Sequence, residues 1–238
     1  MIEKIIHYCW FGKKPKPKSA IKCINSWKKY CPDYKIVEWN EDTFDLKCNS
    51  YVQEAYDNKK WAFITDYVRL FAIYNYGGIY MDTDVEVLKP LDRFLDCDGF
   101  TGFESETNMV TGIMAGVKGS KMYKELMDYY LDKHFVKQDG SLDLTTNTEI
   151  ITKIFLEKGF VQNNLLQEID GFRLYPNEYF CPKNSVTLEV NITENSYTIH
   201  HFAGTWVPHS GFRKFLKKLL GPKLAKRISE KRKGKENV

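Results

Sequence analysis

The stretch from Trp61 to Leu88 constrains the fold of this chain more than any other part of it. Phe63, Leu70, Phe71, Ile73 and Tyr74 recur at helical spacing and cover much of the circumference, so the pattern predicts a buried helix over 61–76. Gly77-Gly78 ends it, because glycine accepts the backbone that a helix C-terminus needs. Ile79-Tyr80-Met81 then restarts as a strand and runs directly into Asp82-Thr83-Asp84, with Val85-Glu86-Val87-Leu88 alternating before Pro90. A helix, a tight reversal and a buried strand in that order belong to an α/β sheet, and ligands of open α/β sheets collect at the carboxyl ends of such strands.

The flanks extend this reading. Ile5-Ile6-His7-Tyr8-Cys9-Trp10-Phe11 is a short apolar run stopped by Gly12, which predicts a buried strand. Lys13-Lys14-Pro15-Lys16-Pro17-Lys18 continues as an extended, solvated loop. A helix beginning at a Ser19 cap carries Ile21, Ile24 and Trp27, and a second strand follows at Tyr34–Trp39, so the two strands form a parallel pair. Further strands are expected near Gly99–Phe103, Ile113–Val117 and Tyr197–His201, and helices at Met122–Lys133 and Thr148–Lys158. The sum is a mixed α/β sheet flanked by helices, with a partly antiparallel second half.

Composition sets the class. In 238 residues, 43% are hydrophobic and 28% charged, as in a globular protein, and no run resembles a membrane span. The six cysteines show no C-x-x-C pair and read as reduced thiols, and the N-terminus lacks a signal-peptide pattern, so the cytoplasm is the expected compartment. The net charge of +4 is uneven: residues 212–238 hold 11 of the 35 Lys+Arg and 2 of the 31 Asp+Glu. Such an uneven charge argues against a specific nucleic-acid binder, which spreads basic residues over its folded face. Two domains are therefore expected, a folded body over 1–211 and a basic tail over 212–238. In that tail Phe212, Phe215, Leu216, Leu219 and Leu220 interleave with lysines and arginines as a basic amphipathic helix, suited to an anionic membrane surface. The implied location is peripheral, on the inner face of the cell membrane.

Two carboxylates at a strand end suit a hard divalent cation, Mn²⁺ or Mg²⁺, which takes oxygen ligands and leaves positions open for phosphates. On an extended strand Asp82 and Asp84 share a face about 6.6 Å apart at ~3.3 Å per residue, so both reach one ion only where the chain curls. Asp66 and Arg69, three apart on the buried helix, are expensive to desolvate without a purpose. Asp66 is expected to accept from a ligand hydroxyl, and Arg69 to hold Asp66 or contact the transferred group.

With these residues together, the string Ala62–Leu88 resembles the DxD sugar-transferase domain of glycosyltransferase family 32, which includes bacterial capsular and lipooligosaccharide transferases and fungal mannosyltransferases. It is more distantly similar to the glucosyltransferase domain of the large clostridial toxins. Ile5–Gly12, Ser26-Trp27, Tyr34–Asn40 and His200–Trp206 match the same family. The resemblance implies a GT-A (Rossmann-like) fold, a nucleotide-sugar donor with UDP favoured, a divalent metal bridging the diphosphate, and retention of anomeric configuration. It places Trp10 at the nucleobase, Asp66 at the ribose or donor sugar, Arg69 at the donor, and Asp82 and Asp84 at the metal and ribose. Thr205 and Trp206 resemble the stretch that closes over the donor diphosphate. Of His200 and His201, which face opposite ways on a strand, His201 is the expected extra metal ligand and His200 the fallback. Asn147, in the polar run Thr145–Glu149 at a helix start, is expected to face the transferred sugar.

The reaction so implied moves a hexose, galactose or glucose by preference, to a saccharide acceptor, lipid-linked and bound for surface polysaccharide, by front-face substitution. Two other classes compete. A phosphohydrolase of the haloacid dehalogenase type also has D-x-D after a strand, but wants Thr or Val where Glu86 stands. A non-catalytic nucleotide-sugar or nucleic-acid binding module leaves Asp66 and Arg69 unexplained.

Overall fold

The computed structural model describes residues 1–109 and 112–203. Fifteen elements matter to the site. β1 (Ile5–Cys9), α1 (Lys18–Tyr30) and β2 (Lys35–Trp39) form the opening unit, followed by α2 (Ser50–Asp57), α3 (Trp61–Tyr76) and β3 (Gly78–Met81). Next come β4 (Val85–Val87), β5 (Gly99–Gly102), β6 (Ile113–Gly116), α4 (Lys121–Asp128) and α5 (Asn147–Glu157). β7 (Gln167–Ile169), β8 (Phe172–Tyr175), α6 (Asn177–Phe180) and β9 (Thr198–His200) complete the set.

Among the described residues, seven strands form one mixed sheet in the order β2-β1-β3-β6-β5-β8-β7. β1 is parallel to β2 and β3, whereas β6 runs antiparallel to both β3 and β5. Alternate side chains sort onto two faces, as the strand period of two requires. Cys9, Tyr80, Met114 and Leu174 join a core with α2, α3, α4 and α5, while Ile6, Ile79, Ile113 and Phe100 join a second core with Ile24 and Trp27 of α1. The sheet is therefore covered on both faces.

The Gly77-Gly78 reversal has a steric cause. Both residues have positive φ, +68° and +106°, and a Cβ on Gly78 would stand 2.6 Å from the Ile5 carbonyl of the neighbouring strand. Glycine lets β3 enter the sheet directly from α3.

Several boundaries differ from those read in the sequence. α1 starts two residues earlier than expected, with Pro17 and not Ser19 at its N-cap, and Ile21 is 46% exposed because Ala20, Cys23, Ile24 and Trp27 form the inward stripe. The helix expected to run to Lys133 ends at Asp128. The alternating Val85–Val87 leaves the main sheet and pairs antiparallel with β9 in a separate two-stranded ribbon. The sequence pattern does not predict α2, β7, β8 or α6. All six cysteines are free. Among the described residues no helix is long and apolar enough to cross a membrane. The basic tail lies outside the described residues.

Candidate active site

The chain curls between Asp82 and Asp84. The Asp82 amide still donates to the Gly112 carbonyl across the sheet at 2.8 Å, but the Val85 amide turns back onto the Asp82 carbonyl at 2.9 Å. This turn separates β3 from β4 and removes the extended geometry that would keep the two carboxylates apart. The β4–β9 ladder, with Val85 opposite His200, then brings the end of the described chain alongside. One ligand atom each from Asp82, Asp84 and His200 lies within 4.8 Å of the others.

His200 occupies the place expected of His201. His200 Nε2 is 3.3 Å from Asp84 Oδ1, while His201 Nε2 is turned away to Glu86 Oε2 at 2.8 Å, where Lys22 also binds. The expectation for His201 is corrected by the alternation of the strand: the ladder register points His200 inward and its neighbour outward. Asp84 is held from a second side, since its Oδ2 accepts from the Ala203 amide at 2.6 Å. Burial opposes charge on both partners of the Asp84–His200 pair. Their mutual hydrogen bond and attraction win, holding Asp84 down to about 2 and raising His200 well above the ordinary histidine range.

Beneath this cluster lies a buried ionic network. Arg69 Nη2 is 3.2 Å from Asp66 Oδ1 and 3.5 Å from Asp82 Oδ1, and its Nε donates to the Thr65 carbonyl at 3.2 Å. The guanidinium sits 4.7 Å from the centre of the Tyr80 ring, and the Tyr80 hydroxyl donates to Asp82 Oδ1 at 2.8 Å. Arg69 thus ties the helix to the strand end, joining Asp66 to Asp82. Burial pushes the Asp66 carboxyl up to about 7 against the pull of Arg69, and the nearby Asp82 charge adds to the rise.

These groups form one side of a cleft of about 600 Å³. Trp10, Asp66, Arg69, Asp82, Asp84 and Asn147 all line it, so six of the residues read from the sequence converge there. Asn147 opens α5 behind a capping box in which the Thr146 side chain accepts from the Glu149 amide. Asn147 Nδ2 donates to the Asp66 carbonyl at 3.4 Å, and its Oδ1 is buried with no hydrogen-bond partner among the described residues. Trp10 stands at the rim, its Nε1 bonded to the Lys14 carbonyl at 2.5 Å. Thr205 and Trp206 lie outside the described residues.

Glu104, after β5, also lines the cleft, and burial raises its carboxyl against the pull of His200. Glu104 belongs to no sequence motif, and only the folding of distant segments onto one cleft exposes it, whereas Trp61, another lining residue, opens α3 itself. The donor set of two carboxylates and an imidazole fits a divalent cation by its chemistry.

Residues 17–101 match the family described as glycosyltransferase sugar-binding region containing DXD motif. An uncharacterized glycosyltransferase of Acanthamoeba polyphaga mimivirus is 28% identical over 220 residues, covering 88% of this chain and 85% of that one. Inositol phosphoceramide mannosyltransferase 3 of Schizosaccharomyces pombe is 28% identical over 142 residues, 56% of this chain and 40% of the yeast protein. Among solved structures, PaToxG glycosyltransferase superposes with a TM-score of 0.46 at 19% identity, covering 66% of this chain and 69% of that one. A glycosyltransferase involved in glycosylation of the major capsid of PBCV-1 gives 0.39 at 15%, with 74% and 83% covered. These superpositions are loose, and the assignment rests on sequence. Over residues 17–101 the chain is similar to the DXD-containing sugar-binding region of that family, and it is a glycosyltransferase.

Proposed function

We propose that the enzyme transfers a hexose from a nucleoside-diphosphate sugar, UDP-linked by preference, to a saccharide acceptor, with a divalent cation and with retention. The observation that carries this reading is the convergence of Asp82, Asp84 and His200 within 4.8 Å at a cleft that also contains the buried Asp66–Arg69 pair. Asp82, Asp84 and His200 would hold the cation, Mn²⁺ or Mg²⁺, which when bound supplies positive charge against a departing diphosphate.

The remaining work falls to the chain. Arg69 acts as a positioning residue, because its N–H groups hold Asp66 and Asp82 in place. Asp66 and the unpartnered Asn147 Oδ1, on facing elements, accept hydroxyl protons of the bound sugar or ribose. Trp10 offers an aromatic face to the nucleobase at the rim. In the chemical step the bond between the anomeric carbon and the leaving phosphate oxygen breaks as the acceptor oxygen attaches on the same face. The hydroxyl proton passes to the leaving phosphate.

The yeast relative is named for a ceramide-borne acceptor, which supports a lipid-linked acceptor here, and surface polysaccharide assembly is the process it would serve. The division into a body over 1–211 and a tail over 212–238 belongs to this proposal, as does attachment of the tail to an anionic inner leaflet. Truncation after Gly211 should release the protein from anionic liposomes while leaving transfer to a soluble acceptor intact.

The test is release of nucleoside diphosphate from a panel of UDP- and GDP-hexoses, with and without acceptor and in EDTA. Acceptor-dependent release that stops in EDTA supports the proposal, and release that ignores EDTA removes the metal from it.

A further inference from the structure

The inside of the cleft is acidic: Asp66, Asp82, Asp84, Glu104 and Glu149 line it against the guanidinium of Arg69. A phosphate-bearing ligand approaching it meets repulsion before it reaches any cation. Lys14 and Pro17 of the basic run Lys13–Lys18 line this same cleft, and Lys13 and Lys18 flank them in the chain.

The run is held in one shape. Gly12 and Lys13 both have positive φ, +93° and +53°, and turn the chain outward after β1. A Cβ on Gly12 would stand 3.0 Å from the Trp61 ring. The Gly12 amide donates to Glu41 Oε1 at 2.7 Å, Trp10 Nε1 donates to the Lys14 carbonyl, and Pro15 and Pro17 fix their own φ. Lys16 is committed to this frame: its Nζ is 2.7 Å from Glu38 Oε2 and lies over the rings of Tyr8 and Trp10 at 5.6 and 5.7 Å. Lys13, Lys14 and Lys18 are exposed instead, and their ammonium groups have no ion pair among the described residues.

We propose that Lys13, Lys14 and Lys18 form a phosphate-binding rim that captures a diphosphate-bearing substrate and offsets the acidic interior during entry. Three cations on a short, braced arm suit a compact polyanion, because the arm costs little ordering when the ligand arrives. Two substrates carry that chemistry, a nucleotide-sugar donor and an acceptor joined to its carrier through phosphate. The role in catalysis rests on the transferase reading above, but the binding itself does not.

The test compares the full-length chain with its K13Q/K14Q/K18Q variant, both keeping the basic tail. Calorimetry with inorganic pyrophosphate in EDTA reads the rim without any metal. The variant should bind about tenfold more weakly at low salt, on the scale of three exposed ion pairs, and show a smaller salt dependence. The K13R/K14R/K18R chain should restore binding. Equal pyrophosphate affinity and equal salt dependence in all three proteins would overturn the proposal.

Kinetics then identify the source. A raised KM for the donor assigns the rim to the donor diphosphate, and a raised KM confined to a phosphate-linked acceptor assigns it to the acceptor. Both KM values unchanged would overturn the capture role. Failure of the transferase reading has a different signature: neither protein forms product, while the pyrophosphate difference persists.

Discussion

His200 Nε2 lies 3.3 Å from Asp84 Oδ1, and the backbone amide of the next residue, His201, donates to the Asp84 carbonyl at 2.9 Å. One aspartate of the D-x-D turn is thereby held through both side chain and backbone by a strand from the other end of the described chain. The metal reading of the site depends on that closure.

The two histidines should separate cleanly. His200→Ala removes an inward donor and should weaken Mn²⁺ binding about 10- to 100-fold, on the scale of lost support at a metal site. His201→Ala loses only the contact with Glu86 and should leave Mn²⁺ affinity within about twofold, as read by electron paramagnetic resonance titration. The reverse order would assign the site to His201.

Asp82→Asn and Asp84→Asn should each lower turnover by at least about 10²-fold, because an amide lacks the charge that holds a cation at the transition state. Asp82 and Asp84 are partly exposed at the cleft, with side chains 27% and 19% accessible, so the fold should survive. Circular dichroism alongside the assay checks both halves, and wild-type turnover in either variant would refute the metal site.

Arg69 should matter to stability as well as to activity. Its side chain is 5% exposed and that of Asp66 12%, so Arg69→Ala leaves two carboxylates near one another without their cation. Breaking a buried pair from one side costs about 3–5 kcal/mol. Urea unfolding should show a loss of that order, and Asp66→Asn in the same background should recover part of it. A loss below about 1 kcal/mol would mean that the network contributes as little as a surface pair.

His7 gives the fold a pH limit of its own. Its Nε2 donates to the Gly77 carbonyl at 2.8 Å and its Nδ1 accepts from Trp39 Nε1 at 3.2 Å, a neutral tautomer inside the core. Burial lowers its pKa from 6.5 to about 4. The folded value lies below the unfolded one, so the unfolded state binds the proton first. The contribution is fully present above pH 6.5 and is lost as pH falls towards about 4, an effect of about 3 kcal/mol. Between pH 7 and pH 5 unfolding should show a loss of about 2 kcal/mol from this group, the remainder going below pH 5, and His7→Gln should flatten that part of the slope.

What the sequence determined by itself was local and periodic. The helical spacing of apolar residues over 61–76, the Gly77-Gly78 reversal and the strand into Asp82 were legible because short-range sterics and burial dictate them. Asp66 and Arg69 were legible as partners because three residues on a helix bring two side chains together. α2, only eight residues long, and β7, none of whose three residues is buried, carry little periodic signal.

Tertiary structure decided the rest. The curl at Asp82–Asp84, the choice of His200 over His201, the approach of Asn147 to Asp66 and the docking of the lysine arm at the cleft all depend on which distant segments pair. A strand places neighbours on opposite faces, so a shift of one residue in the β4–β9 ladder would exchange the two histidines. Nothing within either strand sets that register; the packing of the ribbon against the rest of the chain does.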